Sequence, residues 1–423
     1  MPRSPEPFPA RASQSLRPER LEDLRLVGRV GADLGVDSYL VGGAVRDVLL
    51  GRATSDLDIA VVGPAGSLAR AIASESGGRV VAQSPFGTWR IEDAGGRTLD
   101  LAETRTESYE APAALPKVTS GTLEQDLGRR DYTINAMAVP LGELFGELID
   151  PYGGEADLES RVLRTLHRES FVDDPTRILR GLELAARLEF EMTTDVAGQA
   201  RRALEAGTLD RLSSARWSKA WARSFGRLEG PRLERACRLG ADLGLFEHSL
   251  GGLGLDAAAR ARVERLSRRA KSESAAFLLV RALAWTDENV VSEAVRRWGL
   301  PEREAERWRT LPFRLHQLLE RLSARALAAS DLERALGEFD QDERDLLASS
   351  PDPRLTSALA RYEREVVPVR LSISGADLIA AGSHEGPEIG LALRATLSAR
   401  LDGLISSSEE LEYACREVAR LTP

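Results

Sequence analysis

The chain has 423 residues, is 43% hydrophobic and 29% charged, and carries a formal net charge of −9. That length exceeds the size at which one hydrophobic core stops growing, so two or more packed units are expected rather than a single compact domain. Cys237 and Cys415 lie far apart and His167, His248, His316 and His384 are scattered singly, which argues against a disulfide framework or a zinc site; no apolar run approaches the roughly 20 residues that cross a bilayer, so no membrane partner is expected.

In chain order, residues 1–25 read as a disordered lead-in, because Pro2, Pro5, Pro7, Pro9 and Pro18 interrupt an arginine-rich stretch that lacks the apolar core of a secretory signal. A helix, a short apolar strand at Tyr39-Leu40-Val41, a Gly42-Gly43 turn and a helix over Ala44 to Leu50 follow. Asp58 to Gly63 reads as the next strand, and Arg79 to Ala82, Thr88 to Glu92 and Thr98 to Leu101 as further ones, so residues 37–140 are expected to form a small mixed α/β domain. After Pro151 the apolar spacing becomes helical, as in Ile178, Leu179, Leu182, Leu184, Ala185 and Leu188, and stays so. Breaks are expected at Gly226 to Pro231, at Pro301, at Ser349 to Pro353 and at Pro368.

The chemistry concentrates near the first strand. Gly42 and Gly43 at a strand-to-helix turn let the backbone approach a phosphate, and Arg46 one turn later can add a forked contact; alone, a tight turn explains the glycines equally well. Asp56 and Asp58 stand two apart at a strand start, so both carboxylates can converge on one site. Like charges that close repel, and a divalent cation compensates them; hard oxygen donors point to Mg2+. A turn cap is the plainer alternative for one of them. Asp100, in Leu99-Asp100-Leu101, is either a third carboxylate or an orienting residue.

Between residues 201 and 240, ten Lys and Arg face four acids despite the negative total, and a second basic run spans Arg260 to Lys271. Each alone reads as a solvated helix face; beside a phosphate-handling head they suit an RNA backbone.

Four blocks stand in order: Leu40-Val-Gly-Gly-Ala-Val-Arg-Asp47 with Asp56-Leu-Asp58; Arg129-Arg-Asp-Tyr-Thr-Ile-Asn-Ala-Met-Ala138; Asp150-Pro-Tyr-Gly-Gly154 with Asp157-Leu158 and Arg161 to Leu166; and Asp173-Asp-Pro-Thr-Arg-Ile-Leu-Arg180. Together they resemble the tRNA nucleotidyltransferase/poly(A) polymerase family in its bacterial and eukaryotic form, over about Tyr39 to Ser224. The resemblance implies an α+β protein: a nucleotidyltransferase head of the polymerase-beta-like mixed-sheet type over 26–165, then an all-helical neck over 166–228 with a nucleobase-recognition helix, a body over 229–360 and an RNA-binding tail over 361–423. It implies a cytoplasmic enzyme, a monomer or weak homodimer, that adds CMP and/or AMP from CTP and ATP to the tRNA 3′ end with Mg2+. Asp56 and Asp58 would hold the metal, and Gly42, Gly43 and Arg46 would lie at the triphosphate. Arg130 would contact the nucleotide, Asp131 would sense the ribose 2′-hydroxyl and Asn135 would order the segment around it.

Cytosine and adenine each present an exocyclic amine beside an unprotonated ring nitrogen, which an acceptor and a donor together would select. Asp174 and Arg177, three apart on one expected helix face, supply that pair, although a surface ion pair after a helix cap would look the same. The resemblance adds Arg180 to the nucleotide site. Where the family usually carries a further arginine followed by Phe, this chain has Glu183-Leu184, which either alters base preference or pairs Glu183 with Arg180 or Arg187.

CCA addition is the first expectation for the product, with CC-only, A-only or poly(A) synthesis as alternatives. An antibiotic nucleotidyltransferase would share the glycines and Asp-x-Asp but would need neither the base-reading pair nor a long basic helical region. A non-catalytic RNA-binding relic would have little reason to keep both aspartates. Near the end, Leu371-Ser-Ile-Ser-Gly-Ala-Asp377-Leu and Gly386-Pro-Glu-Ile-Gly390 resemble the C-terminal region of several such enzymes, with Ser374 and Asp377 placed to start a helix.

Overall fold

The computed structural model describes residues 7–142, 145–249, 255–269, 275–283, 285, 287–324 and 327–422. Two helices lead, α1 (Phe8–Ser15) and α2 (Pro18–Leu34). They correct the expected disorder across residues 7–25. Of the prolines that suggested it, Pro7 caps α1, and Pro9 and Pro18 sit in the first turn of α1 and α2, where a missing N–H breaks no helical bond; Pro2 and Pro5 lie outside the described residues. Phe8, Ala12 and Leu16, then Leu21, Leu24, Val27 and Val30, recur every three or four residues and are buried, so the segment has an apolar face.

The head then runs β1 (Ser38–Val41), α3 (Gly43–Leu49), β2 (Asp58–Val61), α4 (Ala65–Glu75), β3 (Arg79–Gln83), β4 (Thr88–Glu92), β5 (Thr98–Glu103), β6 (Arg105–Ser108), β7 (Lys117–Ser120), α5 (Leu123–Gly128) and β8 (Ala138–Pro140). Six strands form one sheet in the order β3-β4-β5-β2-β1-β8, with β2 and β5 parallel and the other neighbours antiparallel. β6 and β7 form a separate hairpin that the apolar pattern did not announce, since Arg-Thr-Glu-Ser and Lys-Val-Thr-Ser bury no residue. Strand alternation divides the sheet's faces: Leu40, Ile59, Ile91, Leu99 and Leu101 are buried on one, and α4 packs against β3, β4 and β5. On the other face Val41 and Ala60 join Leu127, Ala136 and Ala138 in a small core.

The chain continues through α6 (Gly154–Glu159), β9 (Val162–Leu163), α7 (Ser170–Asp173), α8 (Thr176–Leu188), β10 (Glu191–Met192), α9 (Thr194–Glu205) and α10 (Ser214–Phe225). In α8 the apolar residues Ile178, Leu179, Leu182, Leu184, Ala185 and Leu188 are all buried. The described residues beyond α10 are helical apart from their connections. Expected breaks at Pro301 and Ser349–Pro353 coincide with helix starts, whereas Pro312 lies inside the helix Glu302–Ala324.

Internal packing separates two units, Met1–Ala220 with Leu239–Ser249, and Trp221–Arg238 with Leu250–Pro423. The second unit contains a run of ring contacts, Trp221 to Trp298 at 5.6 Å, Trp298 to Phe277 at 5.5 Å and Phe277 to Trp308 at 5.2 Å. Its terminal helices close over Leu378, Ile389, Ala392, Ala414 and Val418. There the expected Ser374/Asp377 helix start is a reciprocal cap, and buried Glu410 accepts bonds from Ser372 and Arg400. No helix among the described residues is long and apolar enough to cross a membrane.

Candidate active site

Register across the sheet places Arg90, Asp100, Asp58 and Val41 in one row over β4, β5, β2 and β1, all on one face. The next row is Thr88, Ala102, Ala60 and Tyr39. Both rows contribute to a cleft of about 450 Å³ that Arg129, Arg130 and Asp126 also line. The small side chains of Ala60 and Ala102 leave that volume open behind the charged row.

Asp58 opens β2, whereas Asp56 lies in the irregular segment before it; the two are solvent-accessible and flank buried Leu57. Among the described residues neither carboxylate has an ion pair or a side-chain hydrogen bond. Withdrawal from water holds the Asp58 carboxyl above its ordinary range, the Asp56 charge adds to this, and Arg130 opposes both. Asp100, which the sequence left between two roles, is gripped by both arms of Arg90 at 2.7 and 2.6 Å. It is therefore an oriented neighbour of Asp58 in the cleft. No group of three or more His, Cys, Asp or Glu side chains among the described residues is arranged to hold a metal by itself.

Gly42 is where the cleft meets the turn. Its backbone has φ +71° and ψ −132°, a conformation side chains disfavour, and a Cβ there would lie 2.7 Å from Arg130 Nη1 and 3.9 Å from Asp58 Oδ2. Arg130 thus crosses the bare turn beside Asp58. Its other end is fixed by Asp126, whose Oδ2 accepts Nη2 at 2.9 Å. Asp126 Oδ1 takes Nε and Nη2 of Arg129 at 3.0 and 2.7 Å. Burial opposes the charge on Asp126, but Arg130 and then Arg129 outweigh it and keep the carboxyl below the usual carboxylate range.

Arg46, expected at the triphosphate, is bonded within the fold, its side chain 3% exposed. It forks onto Asp47 at 2.9 Å through both Nε and Nη2, and its Nη1 donates to Asn135 Oδ1. Asn135 in turn donates to Asp131 Oδ1 at 2.8 Å, and Asp131 Oδ2 lies 3.3 Å from Arg180 Nε. Arg46 braces the turn, and Arg180 remains half-exposed at the end of the chain of contacts.

Asp174 and Arg177 also depart from expectation. Asp174 lies before α8 in extended conformation, where its Oδ1 accepts from the Thr176 backbone and hydroxyl at 3.2 and 2.8 Å and from Arg216 at 3.2 Å. The two are therefore not on one helix face. Arg177 is buried and donates to Ser170 Oγ at 2.8 Å and to the Arg129 carbonyl at 2.7 Å. The Tyr132 hydroxyl donates back to the Arg177 carbonyl at 2.8 Å, and Gly181 makes room, since a Cβ there would lie 2.0 Å from that hydroxyl. Glu183 is buried and takes Arg187 at 2.6 Å, the pairing the sequence had offered as one alternative.

Sequence reading missed Asp126, Arg90 and Arg216. Asp126 was findable, being three and four residues before Arg129 and Arg130 at the end of α5. Arg216 was not: its carboxylate partner is 42 positions away, and the carbonyls of Ala113 and Ala114 that it also reaches are 103 and 102. Of the basic run over 201–240, Arg216 is spent inside the protein and Arg201 reaches the Asp242 carbonyl. Ala270 and Lys271, the end of the second run, lie outside the described residues.

Residues 38–164 match the family described as the poly A polymerase head domain. The A-adding tRNA nucleotidyltransferase of Geobacter sulfurreducens is 31% identical over 413 residues, 93% of this chain and 46% of that protein. The chain spans less than half the length of the first curated relatives it matches. Among solved structures, a CCA-adding enzyme in apo form II is 28% identical with a TM-score of 0.78, covering 98% of this chain and 99% of that one. The Thermotoga maritima CCA-adding enzyme complexed with tRNA_CCA is 26% identical with a TM-score of 0.74, at 98% and 99% coverage.

Proposed function

Because the chain belongs to the tRNA nucleotidyltransferase/poly(A) polymerase family, we propose that it transfers CMP and/or AMP from CTP and ATP to the 3′ end of tRNA without a template, releasing pyrophosphate. The observation that carries this reading is the meeting of Asp58, Arg130 and the side-chain-free Gly42 turn at one end of the cleft. The family generally uses divalent metal ions. Two carboxylates two residues apart that form no ion pair among the described residues, one of them held above its ordinary range despite Arg130 and Arg180 nearby, fit such an ion, and we assign Mg2+ from their hard oxygen donors. Once bound, the ion would neutralise phosphate charge and ease deprotonation of the attacking 3′-hydroxyl.

The remaining roles belong to the chain's own residues. Asp56 and Asp58 hold the cation, and Gly42 and Gly43 keep the turn clear where phosphates approach. Arg130, steadied by Asp126, offers its remaining N–H groups to the nucleotide. Asp131 and Arg180 face the ribose side, with Asn135 and Arg46 behind them. For base choice, Asp174 keeps Oδ2 as an acceptor for an exocyclic amine, because its contacts fall on Oδ1. Arg177 would have to exchange the Ser170 hydroxyl or the Arg129 carbonyl for the ring nitrogen. The arginines of 201–240 left exposed and the helices over 361–423 are the proposed tRNA contacts, and the enzyme is proposed to act in the cytoplasm as a monomer or weak homodimer.

A second reading, addition of the terminal A alone, is favoured by the Geobacter A-adding relative that matches 93% of the chain. Incubating the full chain and Mg2+ with tRNA ending before CC, after CC and after CCA, with each NTP separately, decides between them. CCA addition predicts C on the shortest tRNA and A on the second; A-addition predicts A on the second alone. No incorporation on any tRNA would sink both.

A further inference from the structure

The N-terminal helices touch the chain at the segment that bears Asp56. Gly51 and Arg52 close backbone bonds onto the end of α3, at 3.0 and 2.8 Å, and β2 starts at Asp58. Between them the segment is irregular, and its next ties run to α1 and α2. The Thr54 N–H donates to the Ser15 carbonyl at 3.3 Å, and Arg11 reaches the Leu49 carbonyl at 3.0 Å. Arg20 makes the central contact: Nη2 donates to the Ser55 carbonyl at 2.8 Å and Nη1 to the Thr98 carbonyl at 3.0 Å.

Those two carbonyls are informative. Ser55 immediately precedes Asp56, and Thr98 opens β5 two residues before Asp100. One planar guanidinium therefore joins the loop before the metal-binding pair to the strand that carries its in-register neighbour. The fork is itself held, because Arg20 Nη1 also donates to Asp23 Oδ2 at 3.0 Å and Asp23 Oδ1 faces Arg97 at 3.5 Å. The Arg20 side chain is 16% exposed, although the two carbonyls it joins belong to exposed residues.

We propose that Arg20 is a positioning residue for the candidate metal site: it fixes the 52–57 loop against β5 so that Asp56 is presented beside Asp58. This rests on the reading of Asp56 and Asp58 given above. Arginine is required for the span, because a lysine ammonium is a single point and cannot bridge two carbonyls in a plane. The N-terminal helices thereby become part of the active-site scaffold.

The test is hydrogen–deuterium exchange on full-length wild type, Arg20→Ala and Arg20→Lys, alongside steady-state kinetics. In Arg20→Ala, amides of 52–58 should exchange about tenfold faster, the loss expected for one or two hydrogen bonds, while those of Ala65–Glu75 and the remainder of α2 keep their protection. The kcat should fall about tenfold or more, with KM for nucleotide within about twofold, because misplacement of a reacting group costs rate more than binding. Arg20→Lys should fall between the two. Unchanged exchange at 52–58, exchange raised uniformly through α2, or a lysine variant equal to wild type would each overturn the proposal. A wild type that transfers no nucleotide would sink the functional reading instead, and leaves the exchange comparison intact.

Discussion

Two pairs of aspartates stand in the head and are treated in opposite ways. Asp126 and Asp131 have partners within the fold: the first binds two arginines, the second an arginine, an asparagine and a backbone N–H. Asp56 and Asp58 have no such partners among the described residues, and burial first, then the Asp56 charge, raise the Asp58 carboxyl pKa. A carboxylate whose job is to hold a side chain is neutralised by that side chain at folding. Asp56 and Asp58, proposed to hold an exchangeable cation, are left open instead, and the fold carries their mutual repulsion.

The contrast can be broken most directly at Asp58. Asp58→Ala is expected to lower transfer on the order of 10³-fold or more, with tRNA binding by filter retention still measurable and thermal stability kept or raised. A fall in melting temperature would mean that Asp58 is a structural residue like Asp126. At Asp126 the expected signs reverse: Asp126→Ala should cost about 3 kcal/mol in denaturant unfolding, since it strands two arginines around a buried hole. Asp126 is held below its ordinary pKa, so its stabilising contribution is present above about pH 4 and is lost as pH falls through the lower folded value. An acid titration of stability should therefore be shallower in Asp126→Asn than in wild type.

Gly42→Ala sharpens the border between the two pairs. Strain at φ +71° should cost about 1–3 kcal/mol, and the new methyl should push Arg130 from its place. Nucleotide KM is expected to rise by more than kcat falls; unchanged kinetics would separate Arg130 from the nucleotide. The smallest effect belongs to Glu293, whose carboxyl is drawn down to about 2, first by its hydrogen bond to Arg296. That pairing lies on an open helix face, and Glu293→Gln should cost no more than about 0.5 kcal/mol by urea unfolding near neutral pH.

What the sequence disclosed and what it hid follow the same division. The strand, bare turn and helix over 38–49, the strand that Asp58 opens, and the helical remainder were legible because each is set by neighbours within a few residues. The contacts that decide what an arginine does were not. Arg46 lies one turn from the glycines and looked like a phosphate ligand, yet its third contact is Asn135, 89 positions on. Arg177 and Asp174 looked like neighbours on a helix, but the helix begins after Pro175. The N-terminal helices were hidden by counting prolines without asking where in a turn they fall. The β6–β7 hairpin gave no signal at all, having no buried face to pattern.

The reciprocal bonds between Arg177 and the 129–132 segment carry a mechanical consequence. Arg177 donates to the Arg129 carbonyl, and Tyr132 donates to the Arg177 carbonyl, so α8 and this segment are latched in both directions through buried groups. A hinge between the residues proposed to read the base and those proposed to hold the sugar and phosphates would have to rupture both latches together. If Arg177 gives up the Arg129 carbonyl to meet a base, the Tyr132 bond still ties α8 to this segment, so exchange of partners at Arg177 is separable from movement of α8.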